Sequence, residues 1–138
     1  MTISVEYLDK CIKALETGVK YLEQGTDKEL YELHRAGCIK EFELILEQSG
    51  SLLRKRIRGY FATNKQADNL TFKDVFRHAA KHDLIDPETC ERWMKYCDNR
   101  NDTSHNYGEK FANETLKLLP VFIEDAKSLS KIIGEQGK

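Results

Sequence analysis

Val5, Leu8, Ile12, Leu15, Val19 and Leu22 recur at alternating steps of three and four, and this limits the fold more than any other feature of the chain. The spacing lines these side chains along one stripe of a helix over about residues 4–24, a stripe that must be covered by other helices. Gly25 ends it. Thr26-Asp27-Lys28-Glu29 then has capping-box spacing. Behind it Leu30, Leu33, Gly37, Ile39, Phe42, Ile45, Leu46, Leu52, Leu53 and Ile57 keep the helical period to about Arg58, with a bend at Gly50 and a stop at Gly59. "ATNKQADN" reads as a polar loop.

Thr71-Phe72-Lys73-Asp74 opens a short helix with Phe72, Val75, Phe76, Ala79 and Ala80 on its buried side. Asp86-Pro87-Glu88 opens the next, with a capping Asp, a proline at the first helical position and an acid facing the dipole. Leu84, Ile85, Trp93, Met94 and Cys97 would pack there. Phe111, Leu116, Leu119, Phe122, Ile123, Ala126, Leu129 and Ile133 mark a last helix, kinked or interrupted by Pro120. There is no alternating strand pattern. The expectation is an all-α domain over residues 1–138, an antiparallel bundle of about five helices.

Composition narrows the partners. With 33% charged and 40% hydrophobic residues the chain is globular rather than disordered. Its net charge is −1, from 22 basic and 23 acidic residues, so contact with nucleic acid must come from a local patch. No apolar run approaches the ~20 residues of a membrane span. "MTISVEYLDK" lacks a basic segment followed by an apolar core, so a cytoplasmic protein is expected. Cys11, Cys38, Cys90 and Cys97 form no C-x-x-C pair and no zinc spacing, which reads as small core residues with no metal or cofactor.

The chemistry concentrates in "RNDTSHNY", Arg100 to Tyr107. These are weak helix formers whose short polar side chains compete for backbone bonds. Arg100 and His105 are five positions apart, about 140° around a continuous helix, where they would converge poorly. A turn across Asn101 to Ser104 would let them meet. Arginine then offers a planar fork for phosphate, and histidine takes and gives a proton near neutrality. Those are the minimal parts for metal-free RNA cleavage, with the ribose 2′-hydroxyl as nucleophile. The residues alone favour a capping seam with a surface salt bridge over that chemistry. The spacing also recurs in "RHAAKH", where Arg77 and His82 lie in a good helical stretch that separates them.

The octet and its lead-in, "HDLIDPETCERWMKYCDNRNDTSHNY", resemble the HEPN superfamily, in the HepT-like toxin branch long labelled "nucleotidyltransferase substrate binding protein". The motif of that branch is Arg, four residues, His, any residue, Tyr. Here it is Arg100, His105 and Tyr107, with Asn101 as the polar residue after the arginine. The likeness is strongest over about residues 71–127, whereas "IKEFEL" and Pro120 depart from the family pattern. The resemblance implies a HEPN-like homodimer, paired with a minimal nucleotidyltransferase (MNT) antitoxin, whose two Arg–His pairs face across a cleft. It implies that Arg100 binds the scissile phosphate, His105 acts as general acid and base, and Asn101 orients the site. It further implies that Tyr107 accepts AMP from the nucleotidyltransferase.

"LLRKRIRGYF" gathers Arg54, Lys55, Arg56 and Arg58 ahead of Tyr60 and Phe61. It reads either as a patch for RNA or a protein partner, or as cations offsetting the dipole at a helix C-terminus. His34 and His78 read as ordinary surface or half-buried histidines, and Tyr7, Tyr21, Tyr31 and Tyr96 as packing or boundary residues. Three functions compete: a metal-independent ribonuclease toxin, a non-catalytic substrate-binding subunit, and a dimerisation adaptor without chemistry.

Overall fold

The structure, a computed structural model, describes residues 3–25, 27–103 and 108–134, with side chains as far as Arg100 in the middle segment. Among these residues lie six α-helices: α1 (Glu6–Glu23), α2 (Lys28–Ile57), α3 (Asn64–Asp68), α4 (Phe72–Lys81), α5 (Pro87–Thr103) and α6 (Glu109–Gly134). A 3₁₀ turn, Arg58–Tyr60, follows α2. The all-α expectation holds.

The first stripe behaves as its spacing requires: Leu8, Ile12 and Leu15 are buried against α2 and α6. Gly25 leaves α1 in the left-handed conformation, φ 66°, which glycine adopts without a Cβ penalty. Asp27 caps α2 by accepting from the Leu30 amide at 3.0 Å, one residue later than the capping-box reading placed it. α1 runs antiparallel to α6, since Asp9 meets Ser130 and Glu16 meets Lys127. α2 and α6 run parallel, because Arg35 faces Asn113 and Phe42 faces Phe122.

α2 is unbroken through Gly50, and the glycine serves a close approach rather than a bend. A Cβ there would come within 2.1–2.9 Å of three atoms of the Phe72 ring. α2 ends at Ile57, and Gly59 lies inside the 3₁₀ turn instead of stopping the helix. Leu30 and Leu33, read as part of the buried period, are 45% and 67% exposed. The first turns of α2 meet α1 and α6 through Tyr31, His34 and Arg35, which leaves Leu30 and Leu33 on the outward side.

The expected polar loop contains α3, the added helix. Its signal is a capping box: the Gln66 amide donates to Thr63 Oγ1 at 3.2 Å, and the Thr63 amide donates back to Gln66 Oε1 at 3.3 Å. α6 continues through Pro120 without interruption. Beside that proline a cleft of about 220 Å³ opens between α1, α2 and α6, lined in part by Val19, Tyr31 and Leu116.

The core is aromatic at its centre. Phe42, Phe76, Trp93 and Phe122 are fully buried. Trp93 stacks on Phe76 at 4.8 Å, and Phe122 meets Phe42 and Tyr96 edge-on at 4.7 and 4.9 Å. Cys11, Cys38 and Cys97 are buried as expected of core residues, whereas Cys90 is half-buried, and all four are free thiols. Burial pushes the Cys38 thiol up to about 11.

The two helical glycines of α2 have opposite surroundings. At Gly50 overpacking of about 1–3 kcal/mol outweighs the helix-propensity gain of roughly 0.5–1, so Gly50→Ala will destabilise the fold by about 1–2 kcal/mol. Gly37, with nothing within 4 Å of an added Cβ, will tolerate alanine and gain up to about 1 kcal/mol. Urea unfolding of both variants reads the two signs.

Candidate functional site around Arg100

α5 is the helix that carries the candidate arginine. Asp86 starts it by accepting from the Thr89 amide at 2.7 Å, and that amide, with the Thr89 hydroxyl, holds the Asp86 carboxyl below its ordinary range. Trp93, Tyr96 and Cys97 form its buried stripe. Arg100 is the next position on that stripe, at the point where it leaves the core. Its guanidinium lies over the Phe72 ring, 5.4 Å from the centroid, and its Nη2 is 3.8 Å from Glu47 Oε2 on α2. The side chain remains 35% exposed. Lys73 and Asp98 form an ion pair on the neighbouring surface. Below them burial pushes the Cys97 thiol up to about 11, against the lowering effect of Lys73 and Arg100.

The expected turn across Asn101 to Ser104 is corrected in its first part, because α5 stays helical through Thr103. Weak intrinsic propensity is overridden by packing. The buried stripe holds the preceding turns, and Thr115 Oγ1 on α6 donates to Asn99 Oδ1 at 3.0 Å. Asn101 is therefore in the helix. Its side chain lies outside the described residues, as do Ser104, His105, Asn106 and Tyr107. On the far side of that gap α6 begins at Glu109. Arg35 of α2 ties it down, 3.7 Å from Glu109 and donating to Asn113 at 3.2 Å. The octet is thus flanked by a contact of α5 with α6, Asn99–Thr115, and by a contact of α6 with α2 through Arg35.

The basic stretch is divided by the fold. Arg54 Nη1 donates to the carbonyls of Ala67, Asp68 and Leu70 at 2.8, 3.3 and 2.9 Å, closing the C-terminal end of α3. Arg58 pairs with Asp68 at 2.9 Å. Lys55 is exposed and Arg56 half-buried. Arg54 and Arg58 thus have structural partners. The second Arg–His spacing is separated: Arg77 pairs with Asp74 at 2.7 Å, while His82, at the end of α4, stacks on Tyr60 at 3.9 Å.

One polar cluster was not anticipated. Asp125 on α6 is almost buried and takes both arms of Arg92, at 2.8 and 2.9 Å, while the Tyr96 hydroxyl donates to it at 2.5 Å. Burial, then the bond to Asp125, pushes the Tyr96 phenol well above its ordinary range, and Asp125 raises Arg92 further. The signal lay in the sequence. Asp125 falls between Phe122 and Leu129 on the apolar face, and a carboxylate there demands a cationic partner.

The fold and the site define an all-α bundle that presents Arg100 near the end of the helix that carries Trp93 and Tyr96. The chain matches the family described as "Nucleotidyltransferase substrate binding protein like" over residues 4–134, and it belongs to that family. Among curated proteins it is 28% identical over 103 residues to a protein of Haemophilus influenzae (strain Rd) named as probable ribonuclease HepT, covering 75% of this chain and 69% of that one. A solved H. influenzae structure is described as revealing the fold of a substrate binding domain of a nucleotidyltransferase. It superposes with TM-score 0.81 at 23% identity, over 94% of this chain and 98% of that one. A Thermus thermophilus structure superposes with TM-score 0.63 at 20% identity, over 83% and 94% of the two chains. Both structures share this fold.

The Tyr96 bond sets a stability and a pH expectation. Tyr96→Phe will cost about 1.5–3 kcal/mol, the range for a hydrogen bond to a charged group. An unfolded tyrosine ionises near pH ~10, while the folded phenol keeps its proton to higher pH, so the contribution is full below that pH and is lost above it. Urea unfolding at about pH 8 and about pH 10.5 will show the wild-type advantage over Tyr96→Phe shrinking at the higher pH.

Proposed function

We propose that this chain is the toxin of a HEPN/MNT pair, a metal-independent endoribonuclease of the cytoplasm that acts as a homodimer. The single observation that carries the reading is the placement of Arg100. It stands at the rim of the core, half-exposed, immediately before the segment that holds His105 and Tyr107. The family match and the relative named as a probable ribonuclease support it.

In this mechanism the Arg100 fork binds the scissile phosphate and balances the charge that builds on its oxygens. The 2′-hydroxyl attacks phosphorus as His105 accepts its proton, and the 5′-oxygen leaves with a proton returned by histidine. A second subunit brings a second Arg–His pair, so one cleft offers both a base and an acid. Asn101 orients the phosphate. Arg54, Lys55, Arg56 and Arg58 are a further candidate surface for RNA or the partner, with Lys55 and Arg56 its most available members. The MNT partner silences the site by AMP transfer. The Tyr107 phenol attacks the α-phosphorus of ATP, pyrophosphate leaves, and the new phosphodiester brings bulk and negative charge to the place where RNA phosphate would bind. The alternative is a non-catalytic subunit that presents a substrate to a nucleotidyltransferase, which the family description favours.

Cleavage assays decide between them. Arg100→Ala and His105→Ala will each lower RNA cleavage by about 10²–10⁴-fold with the fold retained. Arg77→Ala and His82→Ala will cleave as wild type. A dimer in light scattering together with an inert wild type would favour the non-catalytic subunit. Intact-mass and peptide spectra after co-expression with the nucleotidyltransferase will show one AMP on Tyr107. Tyr107→Phe will carry none and will escape neutralisation.

A further inference from the structure

A guanidinium grips a phosphate best when its plane is set before the substrate arrives, because ordering a long flexible side chain costs conformational entropy. Among the contacts that hold Arg100 are those with Glu47 and Phe72. The ion pair with Glu47 is long, 3.8 Å, and its carboxylate is 67% exposed, the kind of pair that holds little. The contact with Phe72 is of a different kind, because that ring is itself held. On one side Gly50 leaves a notch in α2 that the ring fills, so that an added Cβ would approach three ring atoms to 2.1–2.9 Å. The ring also meets Phe76 edge-on at 5.6 Å, and Phe76 stacks on the buried Trp93. The Arg100 guanidinium lies over this wedged ring, 5.4 Å from its centroid.

We propose that Phe72, seated in the Gly50 notch, is the positioning residue for Arg100: an aromatic shelf that holds the guanidinium in place. The ring attracts the cation electrostatically and takes no hydrogen bond from it, and the N–H donors are the part that recognises phosphate. The shelf joins the site to the core, since the same ring touches α2, the aromatic cluster and the arginine. α4 therefore contributes to the site although it carries none of the motif. The effect on cleavage rests on the ribonuclease reading, whereas the positioning itself does not.

The experiment reads both. The Nε–Hε resonance of Arg100, identified by its loss in Arg100→Lys, reports the ring current of a stacked aromatic. Wild type and Phe72→Tyr will show it shifted upfield, and Phe72→Leu will return it to the ordinary position. Gly50→Ala, which displaces the ring without removing it, will do the same. At saturating RNA the single-turnover rate of Phe72→Leu will fall about two- to tenfold, the equivalent of one cation–π contact, and Phe72→Tyr will restore it. An upfield shift that persists in Phe72→Leu overturns the proposal, as does an unchanged rate once the shift is lost. Loss of shift and rate in Glu47→Gln, with Phe72→Leu keeping both, overturns it in favour of the ion pair. If the wild-type chain cleaves no RNA, the ribonuclease reading fails, and the resonance alone upholds or rejects the shelf.

Discussion

Trp93 meets Phe76 face to face at 4.8 Å and Phe122 and Tyr96 edge-on at 5.7 and 5.3 Å, so α4, α5 and α6 share a single contact at the centre of the core. Phe42 brings in α2 through Phe122. Aromatic pairs are directional as well as apolar, and this set fixes the rotation of α5 about its axis, not only its burial. Rotation matters here because Arg100 is two turns beyond Trp93, on the same face. A helix rolled by one residue would carry the guanidinium about 100° around, away from Phe72 and Glu47.

Polar links between α5 and α6 hold the same alignment. The Arg92 fork on Asp125, with Tyr96 as a further donor, satisfies a carboxylate that would be costly to bury alone. Asn99 and Thr115 repeat the link nearer the octet. These partly buried contacts specify register, whereas exposed pairs such as Arg77–Asp74 add little. The octet is therefore entered and left at fastened points, Asn99–Thr115 on one side and Arg35 with Glu109 and Asn113 on the other.

Much of this was legible from residue order. The α1 stripe, the Asp86 cap of α5, the buried cysteines and the resemblance carried by Arg100, His105 and Tyr107 all depend on local spacing. The family match over residues 4–134 agrees with that resemblance. Reading failed where the answer lay in a distant partner. Leu30 and Leu33 keep the helical period yet are exposed, because Tyr31, His34 and Arg35 make the contacts to α1 and α6. Asn101 to Thr103 are poor helix formers, yet α5 runs through them behind the buried stripe of its earlier turns. α3, whose Thr63–Gln66 box was local and available, was missed because a short polar helix looks like a loop by composition.

By itself the sequence determined the helical class, the helix starts and the types of chemical group gathered in the octet, because caps, periods and motifs are set within a few residues. Only the tertiary structure decided that Gly50 makes room for Phe72 and that Phe72 in turn underlies Arg100. These residues come from three helices, separated by 22 and 28 positions of chain, and their meeting depends on side-chain volume and helix rotation, which no local pattern encodes. The division of the basic stretch has the same origin. Four neighbouring cations look equivalent in sequence, and the fold alone turns Arg54 toward the carbonyls of α3 and leaves Lys55 in solvent.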